Sequence, residues 1–247
     1  MTPESPNQDL LPGYNIHEMI FDKGATRVYR AERLSDGRSV MLKALRDDGD
    51  ILDSSASLKH EYDIARQFNA DGVIQVIGLE QFQNRPMIVL EDFGGVSLGS
   101  LIESNRTISL PELLSIAIQL SQGLSDIHSA NIIHKDITPS NVVYNPDTGK
   151  AKVIDFGIST YLTREQAAIA NPKVVEASLP YISPEQTGRM NRSVDYRSDF
   201  YSFGVTLFEL LTGRLPFVVS EPIEWFHCHI AKQPPTPFQI DPTIPQP

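Results

Sequence analysis

A single cysteine, Cys228, is all the chain has, so no internal disulfide can form. That usage suits a reducing cytoplasm. No uncharged apolar run approaches the roughly 20 residues that a membrane-spanning helix needs. Basic residues are scarce: 21 Lys and Arg stand against 31 Asp and Glu, a formal charge of −10. A generic nucleic-acid or anionic-membrane binder is disfavoured, because phosphate contacts need clustered Lys and Arg. The N-terminus, MTPESPNQDL, lacks the basic and apolar regions of a secretory signal. There is no internal repeat. What remains is a 247-residue chain with 40% hydrophobic residues, enough for one large domain or two small ones with a real core.

The chemistry is concentrated in residues 131–157, NIIHKDITPSNVVYNPDTGKAKVIDFG. Asp136 and Asn141 lie five residues apart in a turn-rich loop, and Asp155 follows a short strand reading KAKVID. Ile132-Ile133 and Val142-Val143-Tyr144 read as strands flanking the loop. A loop held between strands can fix a base and a metal ligand in place.

This stretch resembles the catalytic core of eukaryotic-type protein kinases. The family's catalytic loop, H-R-D-L-x-x-x-N, stands here as His134-Lys135-Asp136-Ile137-Thr138-Pro139-Ser140-Asn141, and its D-F-G as Asp155-Phe156-Gly157. The resemblance implies an α+β, bilobal fold. A small lobe would hold a five-stranded antiparallel sheet and one helix, and a larger lobe would be mainly helical. The boundaries expected are a disordered leader over 1–12, a small lobe over 13–93, a large lobe over 94–233 and a proline-rich tail over 234–247. The tail, with six prolines from residue 233 onward, is not expected to be helical. The large lobe is expected to be C-terminally truncated, leaving Glu185 without the arginine partner the family supplies.

Along the small lobe, YNIHEMIF and TRVYRAERL read as strands joined by a turn at Asp22-Lys23-Gly24-Ala25, with RSVMLKAL as the third. Lys43 in V-M-L-K matches the strand lysine that binds the α- and β-phosphates of ATP. Glu61, on a helix expected over 54–69 with Leu58, Tyr62, Ala65 and Phe68 along one face, matches its ion-pair partner. The glycine-rich phosphate cover departs from the family. Phe21, Lys23 and Thr26 take the glycine positions before Val28, and only Gly24 is available. Lys23 or Arg27 is placed to compensate with charge. VIQVIGLEQF and RPMIVLEDF complete the sheet around a turn at Gln83-Asn84. By resemblance Leu90 is the gatekeeper, and the Glu91 carbonyl and Phe93 amide face adenine.

In the large lobe, Ser109-Leu110-Pro111-Glu112 starts a helix whose stripe reads Leu110, Leu113, Leu114, Ala117, Ser121, Leu124 and His128. SDFYSFGVTLFELLTG reads as a helix buried nearly all round, capped by Ser198 and ended by Gly213. His134 is expected as a packed scaffold residue, and Asp199 as the support of the catalytic-loop backbone. The segment Asp155–Glu185 matches an activation segment carrying the hydroxyls of Thr160, Tyr161, Thr163 and Ser178, the last expected against the catalytic aspartate. Lys135 replaces an arginine that often grips a loop phosphate, a bidentate fork that lysine cannot reproduce. His227, Cys228 and His229 sit on consecutive helix positions about 100° apart and cannot converge on one ion.

The resemblance therefore implies an ATP- and Mg²⁺-dependent protein serine/threonine kinase acting on Ser or Thr hydroxyls of a protein substrate. Asp136 is the base, Asn141 and Asp155 are the metal ligands, Lys43 and Glu61 are the phosphate-binding pair, and Thr138 stands where a γ-phosphate lysine is usual. Lys23, Gly24, Val28, Leu90, Glu91 and Phe93 complete the nucleotide contacts. SPEQTGRMNRSVDYRSDFYSFGV, with HKDITPSNVVYN and EDFGG, resembles the N-terminal kinase domains of bacterial multi-sensor hybrid kinases. Those carry ATPase-like, sensor and histidine-kinase domains further on. The alternative reading is a pseudokinase or nucleotide-sensing regulatory module, motivated by the glycine-poor loop and Thr138. Aminoglycoside-type phosphotransferases share the fold but lack the S-P-E ending.

Overall fold

The structure, a computed structural model, describes residues 11–46, 51–162 and 178–246; the side chains of Lys23 and of residues 51–53 are not among those described. The chain divides into two compact units between Gly94 and Gly95.

The first unit is a five-stranded antiparallel sheet with one helix. The strands are β1 (Tyr14–Lys23), β2 (Thr26–Arg33), β3 (Arg38–Leu45), β4 (Val76–Phe82) and β5 (Arg85–Glu91), in the order β1-β2-β3-β5-β4. Two-residue connections close both outer hairpins. Gly24 (φ +63°) opens the first, and Gln83 and Asn84 (φ +49° and +63°) form the second. Positive φ at both central residues is what a type I′ turn demands, and it matches the twist of the flanking strands. The first turn is tighter than the expected four residues because β1 pairs with β2 as far as Lys23 and Thr26.

Alternation along β3 does the sorting. Val40 and Leu42 are buried on one face with Leu11, Tyr14, Ala31, Met87 and Val89. Lys43 falls on the other face, in one cross-strand row with Val28 and Ile88. Leu11 is part of this core, so the expected disordered leader does not reach residue 12; residues 1–10 lie outside the described residues. Helix α1 (Ile51–Ala65) starts and ends earlier than expected. Its inner face is Leu58, Glu61, Ile64 and Ala65, continued by Phe68, while Tyr62 is half-buried. A carboxylate thus occupies the apolar stripe.

The second unit contains α2 (Leu98–Glu103), α3 (Leu110–Ser129), α4 (Arg197–Thr212), α5 (Pro222–Ala231) and α6 (Pro237–Ile240). Short strands β6 (Val96–Ser97), β8 (Val142–Asn145) and β9 (Lys150–Val153) form one sheet, and β7 (Ile132–Ile133) pairs with β10 (Thr160–Tyr161). Ser109 caps α3 through the Glu112 amide, with proline in the first turn. The buried face of α3 is Leu113, Ile116, Leu120, Gly123, Leu124 and Ile127. The expected stripe is rotated from it: Leu110, Leu114 and Ser121 face solvent. Ile116 and Ile127 were left out of that stripe, and they are what packs inward.

Helix α4 also departs from expectation. It is not buried all round, since Phe200 is half-exposed. Its buried face is largely polar, comprising Ser198, Asp199, Ser202, Val205, Thr206 and Leu210. Ser198 does not cap it. The residue before the helix is Tyr196, and the Ser198 hydroxyl instead donates to Glu185 Oε1 at 2.6 Å. Glu185 is therefore not left unpaired as expected. The proline-rich tail contains α6, a single turn that Thr236 and Gln239 close with a reciprocal capping box. Proline at its first position costs no hydrogen bond, which is why proline did not exclude a helix here.

Candidate active site

In the first unit the Lys43 ammonium lies 2.7 Å from both carboxylate oxygens of Glu61. Both side chains are more than nine-tenths buried. β3 alternation and the α1 stripe each direct one partner inward, so the pair is a product of two periodicities. Val28 sits in the same row as Lys43. Leu90 is paired with Met41 on one side and Val76 on the other. The segment after β5 is tied down locally. Glu91 donates its backbone amide to the Gln75 carbonyl and accepts the Gln75 amide on its carboxylate, while Asp92 holds Arg30, Ser39 and the Gly94 amide. Phe93 is half-buried.

The phosphate-cover hairpin is held differently from the expectation. Gly24 has open space where a Cβ would be. Arg27, expected to offer charge, is ion-paired with Asp22, which also takes Arg46 at 2.6 Å. The Lys23 side chain lies outside the described residues.

In the second unit the catalytic loop hangs from α4 by its backbone. The buried Asp199 accepts the His134 amide at 2.9 Å and the Lys135 amide at 2.7 Å, and it bonds His128 Nε2 at 2.8 Å. Two turns on, the Thr206 hydroxyl donates to the Ile137 carbonyl at 3.0 Å. From the other side the Ser159 hydroxyl donates to the His134 carbonyl. His134 is fully buried. Its Nε2 faces the Ile154 carbonyl at 3.1 Å, and its ring meets Phe156 edge-on at 4.9 Å. It is a packed residue, as expected.

These restraints place Asp136. The Asn141 side-chain amide donates to Asp136 Oδ2 at 2.7 Å and to the Asp136 carbonyl at 3.0 Å. Asp136 Oδ1 is buried and has no hydrogen-bond partner among the described residues. Burial pushes this carboxyl above the usual carboxylate range, and the nearby Asp155 charge adds to the rise. Ser178, His134 and Asn141 favour the charged form. Ser178 lies close enough to do so, although no hydrogen bond of ordinary geometry reaches Oδ1. Ser178 thus stands beside the aspartate, as expected.

Asp155 adopts φ +65° and accepts the Gly157 amide at 3.2 Å. The Ile154 amide donates to the Asn141 carbonyl at 2.9 Å, which locks the two loops together. Asn141 spends its amide nitrogen on Asp136, leaving its amide oxygen as the group for a cation. An amide oxygen and a carboxylate are the hard oxygen donors that Mg²⁺ takes, completed in such sites by substrate phosphates and water. Thr138 is buried, and its carbonyl accepts the Asn141 amide. Thr160 and Tyr161 form β10; Thr163 lies outside the described residues.

Further on, the Tyr181 phenol donates to Glu209 at 2.5 Å, and burial pushes both groups up. His229 is engaged at both nitrogens, by the Leu179 carbonyl and the Tyr201 hydroxyl, each at 2.8 Å. His229 and Cys228 are buried.

Some contributors escaped sequence reasoning. Ser198, Ser202 and Thr206 recur every fourth residue beside Asp199, so a polar stripe inside an apolar-looking helix was a signal that could have found them. Gly99 carried none. A Cβ there would stand 3.0 Å from Ser140 Oγ and 3.4 Å from the Ser140 amide nitrogen, so α2 approaches the catalytic loop only because this residue has no side chain.

The protein kinase domain model matches residues 16–244. A probable serine/threonine-protein kinase of Streptomyces coelicolor is 34% identical over 94% of this chain and 35% of its own length. Serine/threonine-protein kinase pkn3 of Myxococcus xanthus is 29% identical, over 98% of this chain and 45% of its own. Serine/threonine-protein kinase PrkC of Bacillus subtilis is 30% identical, over 94% and 35%. The chain thus spans less than half the length of these relatives. With Asp136, Asn141, Asp155 and the Lys43–Glu61 pair set as described, the chain belongs to the protein kinase domain family.

Proposed function

We propose that this chain is an ATP- and Mg²⁺-dependent protein serine/threonine kinase domain. The observation that carries the reading is Asp136: a buried carboxylate with one oxygen fixed by Asn141 and the other without a partner among the described residues. A substrate Ser or Thr hydroxyl supplies what Oδ1 lacks. The hydroxyl oxygen bonds to the γ-phosphorus as the bond to the β,γ-bridging oxygen breaks. ADP leaves, and the hydroxyl proton passes to Asp136. Lys43, preset by Glu61, takes the α- and β-phosphates. Asn141 and Asp155 are the residues that would hold Mg²⁺, which when bound neutralises phosphate charge. Gly24, Val28, Leu90, Glu91, Phe93 and Thr138, with Lys23, are assigned to the nucleotide. Most of the rate is positioning and electrostatics.

The kinase-named relatives and the intact polar set support an enzyme over a pseudokinase or nucleotide-sensing module. We place the domain in bacterial signal transduction, in the cytoplasm and within a longer protein of the multi-sensor hybrid type. The sequence resemblance and the greater length of the relatives support this. Among the described residues no helix is long and apolar enough to cross a membrane.

The test is γ-phosphate transfer from Mg-ATP to the chain and to a generic Ser/Thr substrate, beside Asp136→Asn, with melting curves for both. Transfer that vanishes in the variant establishes the kinase. Folded protein that gains thermal stability with Mg-ATP yet transfers nothing establishes the sensing module instead.

A further inference from the structure

Ser183-Pro184-Glu185-Gln186-Thr187 ends the activation segment in a 3₁₀ turn over Pro184–Thr187. The Gln186 carboxamide oxygen accepts the Ser183 amide at 2.9 Å and the Ser183 hydroxyl at 3.0 Å. That is an ordinary capping box and accounts for the oxygen. It does not account for the nitrogen. Gln186 Nε2 donates across 51 residues of sequence to the Lys135 carbonyl, at 2.9 Å.

The acceptor is an unusual one. Lys135 adopts φ +71°, a left-handed conformation that a residue with a Cβ holds only when its surroundings impose it. Its N–H is held by Asp199. Its carbonyl belongs to the peptide plane that leads into Asp136. The other end of that plane, the Asp136 N–H, reaches His134 Nδ1 at a long 3.3 Å. The Gln186 bond at one end of this plane is thus shorter than the His134 bond at the other. A carboxamide suits the task because one planar group accepts from Ser183 and donates to Lys135 at once.

We propose that Gln186 is a positioning residue for Asp136, coupling the end of the activation segment to the catalytic loop by fixing the Lys135–Asp136 peptide plane. It touches neither nucleotide nor substrate. A shift of the 183–187 turn would let this plane rotate and carry the Asp136 carboxylate off line. The inference deepens the kinase reading and rests on it, but its structural core can be tested separately.

Gln186→Glu keeps an acceptor for both Ser183 groups and sets an oxygen against the Lys135 carbonyl. Gln186→Met keeps the length and removes all three side-chain hydrogen bonds, which guards against a folding artefact of the new charge. Two readouts are taken on each. Amide hydrogen exchange at Lys135 and Asp136 should be roughly tenfold faster in both variants, with the α4 amides unchanged. In transfer assays kcat should fall roughly tenfold, with KM for Mg-ATP within about twofold of the parent, because an interaction felt at the reacting centre has been lost. Unchanged exchange at Lys135 and Asp136 in both variants overturns the proposal, as does a loss confined to KM. If the parent chain transfers no phosphate, the kinase reading fails there, and the exchange data alone still decide whether Gln186 holds the plane.

Discussion

Asp136 Oδ2 accepts the Asn141 side-chain amide at 2.7 Å, whereas Asp136 Oδ1 is buried with no partner among the described residues. A carboxylate held by one oxygen in this way is poorly solvated, and burial raises its pKa. The sign of the stability effect follows. The folded chain keeps the proton over a pH range in which the unfolded chain has lost it. The group therefore favours folding below its unfolded value, and that contribution disappears as pH rises through the folded one. At neutral pH the ionised form works against stability. Asp136→Asn, which keeps an acceptor for Asn141, should raise Tm by about 2–4 °C per kcal/mol recovered. It should also lower kcat by roughly 10²–10⁴. Calorimetry beside a transfer assay checks both. For the parent, the acid limb of kcat/KM should lie above the ordinary carboxylate range.

The Lys43–Glu61 pair gives a non-additive prediction. Removing one partner of a buried ion pair strands the other charge, at a cost of about 3–5 kcal/mol. Lys43→Met and Glu61→Leu should each destabilise by that order. The double variant, with neither charge buried, should be more stable than either single one. Chemical denaturation of the four proteins measures the coupling. A double variant that loses the full sum of the singles would show that the two groups do not depend on each other.

His229 sets an acid-side limit on stability. Burial lowers its pKa below the ordinary 6.5. The unfolded chain thus binds the proton first on acidification. The contribution to stability is full above the unfolded value and is lost as pH falls through the folded one. His229→Gln retains a donor for the Leu179 carbonyl. The difference in Tm between parent and variant should shift in the variant's favour as pH drops from 7.5 to about 5.5.

Gly99→Ala tests the close approach of α2 to the catalytic loop. With Ser140 Oγ at 3.0 Å and the Ser140 backbone behind it, the added methyl must turn the Ser140 side chain or move the loop or α2. A cost of about 1–3 kcal/mol is expected, as for overpacking elsewhere. A lowered kcat should accompany it, since Ser140 adjoins Asn141. An unchanged melting curve and rate would show that the side chain of Ser140 simply turns away.

Comparison of α3 with the catalytic loop shows where sequence reading succeeds. That Asp136 and Asn141 meet, with the loop of Asp155 locked to them, was legible because one short stretch carries all three. The Lys43–Glu61 pairing was legible through resemblance, and two independent periodicities deliver it. Helix α3 was found, yet its inner face was rotated. Leucines at 110 and 114 look as apolar as Ile116 and Ile127, and only the neighbouring strands decide which pack. The cap of α4 was misread because serine bonds equally well to an amide at a helix start or to a carboxylate 13 residues away. Gln186 was passed over for a related reason: its partner is a backbone carbonyl, which leaves no trace in the sequence.

The polar buried face of α4 determines which substitutions the catalytic loop can absorb. Asp199 and Thr206 hold it by the amides of His134 and Lys135 and the carbonyl of Ile137, none of which depends on the side chain at that position. A residue such as Lys135 can therefore be exchanged while the loop keeps its path. The loop's shape is inherited from the helix beneath it. A graft of this loop onto another scaffold would lose this conformation unless α4 were moved with it.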